Sequence, residues 1–256
     1  MIFYFSGTGN SQTIAQRISQ AIGEETFRIT SETPPLLPIH ETVLGFIFPV
    51  YGWDVPPIVK KFIRNLRIDE NSPKYIFMVC TCGDDIGHTD KRFFRLLKEK
   101  GWECHAAWSV LMPDTYIGLP GFEIDSEKEI NQKLSAACQQ TQQIAQSIIK
   151  REKNIRNLKN GKFAWTKTHI LGWAFYHWLT GDHKFHTKSN CTHCGKCAKV
   201  CPLNNITYTT EGFPKWNGHC SDCLACYHHC PQRAIEYGRF SKGKGQYRIP
   251  KKYNTE

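Results

Sequence analysis

Along the first 150 residues, short runs of consecutive apolar residues alternate with stretches whose apolar positions recur three or four apart. Continuous runs suit strands buried on both faces, and the wider spacing suits helices that bury one stripe. The alternation predicts a parallel sheet wrapped by helices. Five strands are expected: Met1 to Ser6, a weaker one near Thr26 to Thr30, Val43 to Val50, Lys74 to Cys82, and Trp102 to Leu111. Ile14, Ile18, Ala21 and Ile22 mark one helix face, with Asn10 or Ser11 placed to cap its start. Val59, Phe62, Ile63 and Leu66 mark a second helix, and Phe93, Phe94, Leu96 and Leu97 a third. A long polar helix from Ser126 to Lys153 closes the pattern with Ile130, Leu134, Ala137, Ile144 and Ile148. The expected fold class is α/β, a doubly wound five-stranded parallel sheet over residues 1–153.

The pattern then breaks. Residues 154–183 are basic and aromatic, with Trp165, Trp173, Phe175, Tyr176 and Trp178 close together. They are expected to form a linker that docks a small domain onto the large one, the aromatics packing between the two. In residues 184–256, Cys191, Cys194, Cys197 and Cys201 recur as Cys220, Cys223, Cys226 and Cys230, all shifted by 29. Pro202 and Pro231, Ile206 and Ile235, and Tyr208 and Tyr237 share that shift. Ligand and apolar positions repeat together, which points to duplication of a folded unit.

Charge is divided unevenly. Residues 1–150 hold 15 Lys and Arg against 17 Asp and Glu, a balance of −2, whereas residues 151–256 hold 18 against 6, a balance of +12. The excess therefore lies beside the cysteines. Two iron-sulfur clusters with their thiolates would each offset about two of these charges. No nucleic-acid recognition module accompanies the remainder, and steering towards an acidic redox partner is the expected use. The opening MIFYFSGTGN lacks a cationic leader, and the longest apolar run, Ile170 to Leu179, is about half of what a membrane span needs. A cytoplasmic protein without a membrane span is expected, in a reducing compartment that leaves thiols free for metal.

Three thiolates spaced C-x2-C-x2-C can wrap one corner of a cubane, whereas zinc sites pair two C-x2-C knuckles across a long loop. The fourth cysteine of each run, followed by proline, is expected to cross to the other cluster. One cubane would then take Cys191, Cys194, Cys197 and Cys230, and the other Cys220, Cys223, Cys226 and Cys201. Both runs match the C-x2-C-x2-C-x3-C-P motif, and residues 184–238 resemble a bacterial two-cluster 4Fe-4S ferredoxin, a small α+β domain. His193, His228 and His229 lie inside or beside the runs and are not counted as ligands.

At the other end, a first strand leading through SGTGNS (Ser6, Gly7, Thr8, Gly9, Asn10, Ser11) into a helix makes an anion site, since small residues let backbone N–H groups converge at the positive helix end. The stretch has neither a P-loop lysine nor the G-x-G-x-x-G spacing. With the strand pattern, it resembles the flavodoxin family, whose phosphate loop runs Ser/Thr-x-Thr-Gly-x-Thr. That resemblance implies strand order 2-1-3-4-5, FMN as cofactor, and Ser6, Thr8, Gly9, Asn10 and Ser11 as phosphate ligands. Ser11 stands where the family has its last threonine. The ring would lie beyond the carboxyl ends of the strands, between the loop of Pro49, Val50, Tyr51, Gly52, Trp53 and Asp54 and the loop of Thr81, Cys82 and Gly83. Cys82 is expected to pack rather than react. A third loop, Met112 to Gly118, opens on the same side.

Together the halves resemble EFR1-type flavodoxin-ferredoxin fusions, basic tail included (Ser241 to Pro250). Two functions remain open. One is an electron carrier relaying single electrons between two 4Fe-4S clusters and FMN and onward to a redox partner. The other is an FMN-dependent reductase of a small organic substrate fed by its own ferredoxin domain, with Asp114, Tyr116 and Asp84 as candidate acid-base groups.

Overall fold

The computed structural model describes residues 1–33, 43–67 and 75–253. Six parallel strands form one sheet in the order β2-β1-β3-β4-β5-β6: β1 is Ile2–Tyr4, β2 Thr26–Arg28, β3 Val43–Pro49, β4 Tyr75–Cys82, β5 Ala106–Leu111 and β6 Ile155–Asn157. The order of the first five is the flavodoxin-like one, with its switch point between β1 and β3. Helix α1 (Asn10–Ile22) packs with α4 (Glu127–Ile149), and α2 (Pro57–Asn65) packs with α3 (Thr89–Glu99). Two apolar layers result. Phe3, Phe46 and Phe48 meet Phe62 and Phe93 in one, while Ile2, Ile47 and Val79 meet Ile14, Ile18 and Leu134 in the other.

The sixth strand departs from the expected five. Asn154 donates its N–H to the His105 carbonyl at 2.8 Å, and Ile155–Asn157 then pair in parallel with Ala106–Trp108. Only Ile155 is apolar in that edge strand and its neighbours are exposed, so no buried run announced it. The sheet thus runs past Lys153 into the stretch expected to be linker. β5 starts at Ala106 rather than Trp102, because Gly101 turns the chain at φ 72° and His105 first bonds to Ile76. The expected start of β4 at Lys74 lies outside the described residues.

Helix ends show how local chemistry was spent. Ser126 caps α4 in a full capping box with Glu129. In α1 the cap is Gly9, at φ 101°, and no side chain caps it. Asn10 and Ser11, expected at that task, bond across to other loops instead.

Residues 164–179 run as α and π turns in succession, here called α5. Its inner side lies on the loop after β3. Thr168 donates to the Trp53 carbonyl at 3.2 Å, Tyr176 donates to the Tyr51 carbonyl at 2.9 Å, and a Cβ on Gly172 would meet the Gly52 carbonyl at 2.5 Å. Phe175 and Tyr176 therefore pack as expected, but the tryptophans do not. Trp165, Trp173 and Trp178 are 59%, 50% and 68% exposed, because their spacing of eight and then five residues sets them on the side turned from the sheet.

The C-terminal domain is built twice. Strand β7 (Phe185–Thr187) pairs antiparallel with β10 (Ile235–Tyr237), and β8 (Ile206–Tyr208) with β9 (Pro214–Trp216). Helices α6 (Lys196–Val200) and α7 (Ala225–His229) are 29 residues apart, as the cysteines are. The backbone repeats as well: positive φ at His193, Gly195 and Asn204 recurs at Asp222, Leu224 and Arg233. Asn205 and Ala234 likewise donate N–H to the sulfurs of Cys201 and Cys230, at 3.4 and 3.2 Å. Left-handed backbone is unfavourable for residues with a Cβ. Its recurrence at equivalent positions marks loops shaped around what the sulfurs hold.

Candidate functional site

A cavity of about 430 Å³ opens beyond the carboxyl ends of β1, β3 and β4, within the roughly 300–1,000 Å³ range of small-molecule sites. The loop from β1 into α1 forms its floor through Ser6, Gly7, Thr8, Asn10 and Ser11. Gly9 donates its N–H to Ser6 Oγ at 3.1 Å, which folds the loop back on itself. Ser11 Oγ meets Thr81 Oγ1 at 2.8 Å and so ties this loop to the one after β4. Asn10 is held from two sides: its Nδ2 donates to the Pro113 carbonyl at 3.0 Å, and its Oδ1 accepts from the Tyr247 hydroxyl at 2.7 Å.

Pro49, Val50, Tyr51, Gly52 and Trp53 line one side, and Thr81, Cys82 and Gly83 another. Trp53 sits at φ 55° after Gly52 at φ 53°, a turn locked by the Tyr51–Asp54 bridge. The buried Asp54 carboxylate holds Lys60 at 2.6 Å and Arg92 at 3.1 Å, and caps the Val55 N–H. Burial pushes the Tyr51 hydroxyl well above its ordinary range, and the nearby Cys223 adds to this. Cys82 is a packed thiol, pushed up to about 12 by burial and directed at the Asp84 carbonyl at 3.7 Å.

Three further pieces complete the enclosure, and the sequence did not reveal two of them. The expected third loop contributes Met112, Pro113, Asp114, Thr115 and Tyr116. From α5 come Leu171, Ala174, Phe175, Tyr176 and Leu179; from the second cysteine run come Ser221, Asp222, Cys223 and Leu224. Contact there is close: a Cβ on Gly7 would stand 2.4 Å from the Cys223 carbonyl oxygen. One buried polar atom in the lining, Tyr116 Oη, has no hydrogen-bond partner among the described residues, whereas Ser221 hydrogen-bonds the Cys223 sulfur. Buried polar groups are normally satisfied, so the Tyr116 hydroxyl fits a ligand that carries a polar edge. Asp114 lies in the wall, and burial raises its carboxyl from the ordinary range. Asp84, by contrast, is solvent-exposed, pairs with Lys159 at 3.0 Å and is not part of the wall.

The eight cysteines lie in two groups. Cys191, Cys194, Cys197 and Cys230 surround one small cavity, while Cys201 is an electrostatic neighbour of Cys223 and Cys226, and Cys223 of Cys220. Burial pushes Cys220 and Cys226 far up and Cys223 to about 11; metal coordination strips the proton from such a thiol. Among the described residues no three His, Cys, Asp or Glu side chains converge on a point that would suit a single ion. A cubane instead takes one thiolate at each of four irons, and the donor set fits it. The buried indole N–H of Trp216 hydrogen-bonds the Cys226 sulfur, and its ring stacks on Phe185 at 5.0 Å.

His228, left out of the ligand set, has a different task. Fully buried, it donates from Nε2 to the Thr115 carbonyl at 2.9 Å and accepts at Nδ1 from the Tyr247 N–H at 3.1 Å. Desolvation lowers it to about 4 and keeps the ring neutral. It pins α7 to the third loop and to the C-terminal segment. One of a pair of histidines between Cys226 and Cys230 carried no signal of this.

Of the fourteen residues expected at the flavin, only Gly9 is absent from the cavity wall. Its α-carbon faces Ile249 instead, with room for a Cβ only at 3.0 Å from that side chain.

Residues 183–231 match the family described as a 4Fe-4S dicluster domain. A comparison with curated protein sequences found no match. Among solved structures, a protein of Bacteroides uniformis described as a flavoprotein is similar at TM-score 0.37 and 16% identity, covering 53% of this chain and 96% of the other. The Trp repressor binding protein of Bacillus subtilis is similar at TM-score 0.36 and 19% identity, covering 54% and 96%. Rubredoxin oxygen:oxidoreductase of Desulfovibrio gigas is similar at TM-score 0.33 and 15% identity, covering 59% of this chain and 36% of its own.

Proposed function

We propose that this chain is an electron-transfer iron-sulfur flavoprotein of the EFR1-type fusions, relaying single electrons between two 4Fe-4S clusters and FMN. One observation carries the reading: the wall of the flavin-sized cavity is shared by the β1–α1 loop, the two ring loops and the Ser221–Leu224 cluster loop, with Gly7 packed against Cys223. When bound, FMN supplies a centre that holds one or two electrons beside clusters that hold one each.

The residues have separable duties in this scheme. Ser6, Thr8 and Ser11 offer hydroxyls, and the uncapped start of α1 offers N–H groups, to the phosphate. Tyr51 and Trp53 stand beside the ring, held by Tyr176 and Thr168 of α5. Phe175 and Leu179 keep water from that side of the cavity. Cys220, Cys223, Cys226 and Cys201 would hold the cluster next to the flavin, and Cys191, Cys194, Cys197 and Cys230 the outer one. The eight thiolates bring negative charge that the basic half offsets.

The test is an anaerobic spectroscopic redox titration of the protein carrying both cofactors. Expected are separate cluster and flavin transitions, with flavin reduction following cluster reduction under a cluster-selective reductant. Absence of FMN binding, or a flavin that stays oxidised while the clusters are reduced, defeats the proposal.

A further inference from the structure

The flavin-sized cavity is lined by this chain's own α5, third loop and cluster loop, and a second surface, at an exposed cluster ligand, offers a protein partner a direct way to meet the relay. Of the eight motif cysteines, Cys194 alone is exposed; the others are half-buried or buried. Cys194 opens into a groove of about 620 Å³ between the two domains, which shares Ser6 and Gly7 with the cavity wall. Arg28 from β2, Lys196 and Lys199 from α6, and His229 from α7 line this groove, and among the described residues no Asp or Glu does. Arg28, Lys196 and Lys199 are exposed. A concave, single-sign surface focuses its field outward and raises encounter rates with the opposite charge.

From this we infer that the groove at Cys194 is the docking port for an acidic one-electron carrier protein, and that the outer cluster is the point of exchange. The inference rests on the relay proposed above and adds its entry point. Each event is balanced: the carrier loses one electron, the cluster held by Cys191, Cys194, Cys197 and Cys230 gains it, and no bond forms or breaks. Reversal of direction leaves the port unchanged. Charge complementarity selects the carrier, since the groove presents three permanent cations around the exposed ligand and, among the described residues, no carboxylate.

The experiment uses the protein with both cofactors, chemically reduced under anaerobic conditions and mixed in a stopped-flow instrument with oxidised rubredoxin as the acidic probe. A basic c-type cytochrome is the opposite-charge control. Cluster oxidation and flavin oxidation are read at separate wavelengths. For the wild type, the second-order rate with rubredoxin should fall as salt rises. Lys196→Glu with Lys199→Glu should lower that rate at low salt by about tenfold or more, flatten the salt dependence and raise the rate with the cytochrome. Lys61→Glu with Lys98→Glu, on α2 and α3, makes the same change in net charge and should leave both rates within about twofold. Equal effects from the two pairs, or a rubredoxin rate indifferent to salt, overturn the port. If cluster oxidation shows the expected salt pattern while the flavin never exchanges electrons, the relay fails and the port stands.

Discussion

Replacing Gly7 with alanine loads the junction between the two cofactor regions. The added Cβ would stand 2.4 Å from the Cys223 carbonyl oxygen and 2.9 Å from the Cys223 Cβ, where ordinary contact begins at 3.4 Å. The shortfall of about 1 Å, 3.4 less 2.4, falls on backbone, and no flexible side-chain end can swing away to absorb it. Overpacking of this kind costs about 1–3 kcal/mol. For a chain of this length that lowers the melting midpoint by roughly 2–12 °C. Electron exchange should suffer more than stability, because electronic coupling decays exponentially with separation while only one contact is lost. The assay follows flavin absorbance after cluster reduction, with FMN saturating and iron content checked. Slower flavin reduction at full cofactor loading is expected. An alanine variant with unchanged midpoint and unchanged flavin reduction would refute the reasoning, since the two loops could then not be in the contact described.

Three other outcomes are expected. Cys191→Ala and Cys220→Ala should each lower iron content and the relay rate while FMN still binds, which iron analysis and flavin fluorescence titration read; loss of FMN binding with either would contradict the division of duties. Tyr247→Phe removes the donor to the buried Asn10 Oδ1, at about 1–3 kcal/mol, so FMN affinity should drop by about tenfold; unchanged affinity would detach the tail from the phosphate loop. Asp114 is raised by burial from 3.8, so the stability it contributes is fully present below the unfolded pKa and lost as pH rises through the folded one. Asp114→Asn should therefore gain on the wild type in thermal melts as pH climbs from about 4 towards neutrality, and a gap that does not change with pH would count against a buried carboxyl.

Local pattern carried much of this architecture. Buried runs such as Val43–Pro49 and Tyr75–Cys82 read as strands because both faces of the sheet are covered. The cysteine spacing read as a cluster motif because its ligands are consecutive in sequence. β6 was hidden because three residues with one apolar side chain have no period. The covering of the cavity by Phe175, Tyr176 and Ser221–Leu224 was hidden for another reason: contacts that join residues more than a hundred positions apart leave no local trace. Trp165, Trp173 and Trp178 misled because composition reports how apolar a segment is, not which side of a helix faces the protein.

The bond from Tyr247 to Asn10 joins the last stretch of chain to nearly the first, and this sets an order of events in synthesis. The sheet can close once Ile155–Asn157 have been made, but the floor of the flavin cavity is not fully held until residue 247 has left the ribosome. Walls from 171–179 and 221–224 are made before that. The cavity floor is therefore held by one of the last residues to be made, and a chain stopped before residue 247 would lack that hold on Asn10.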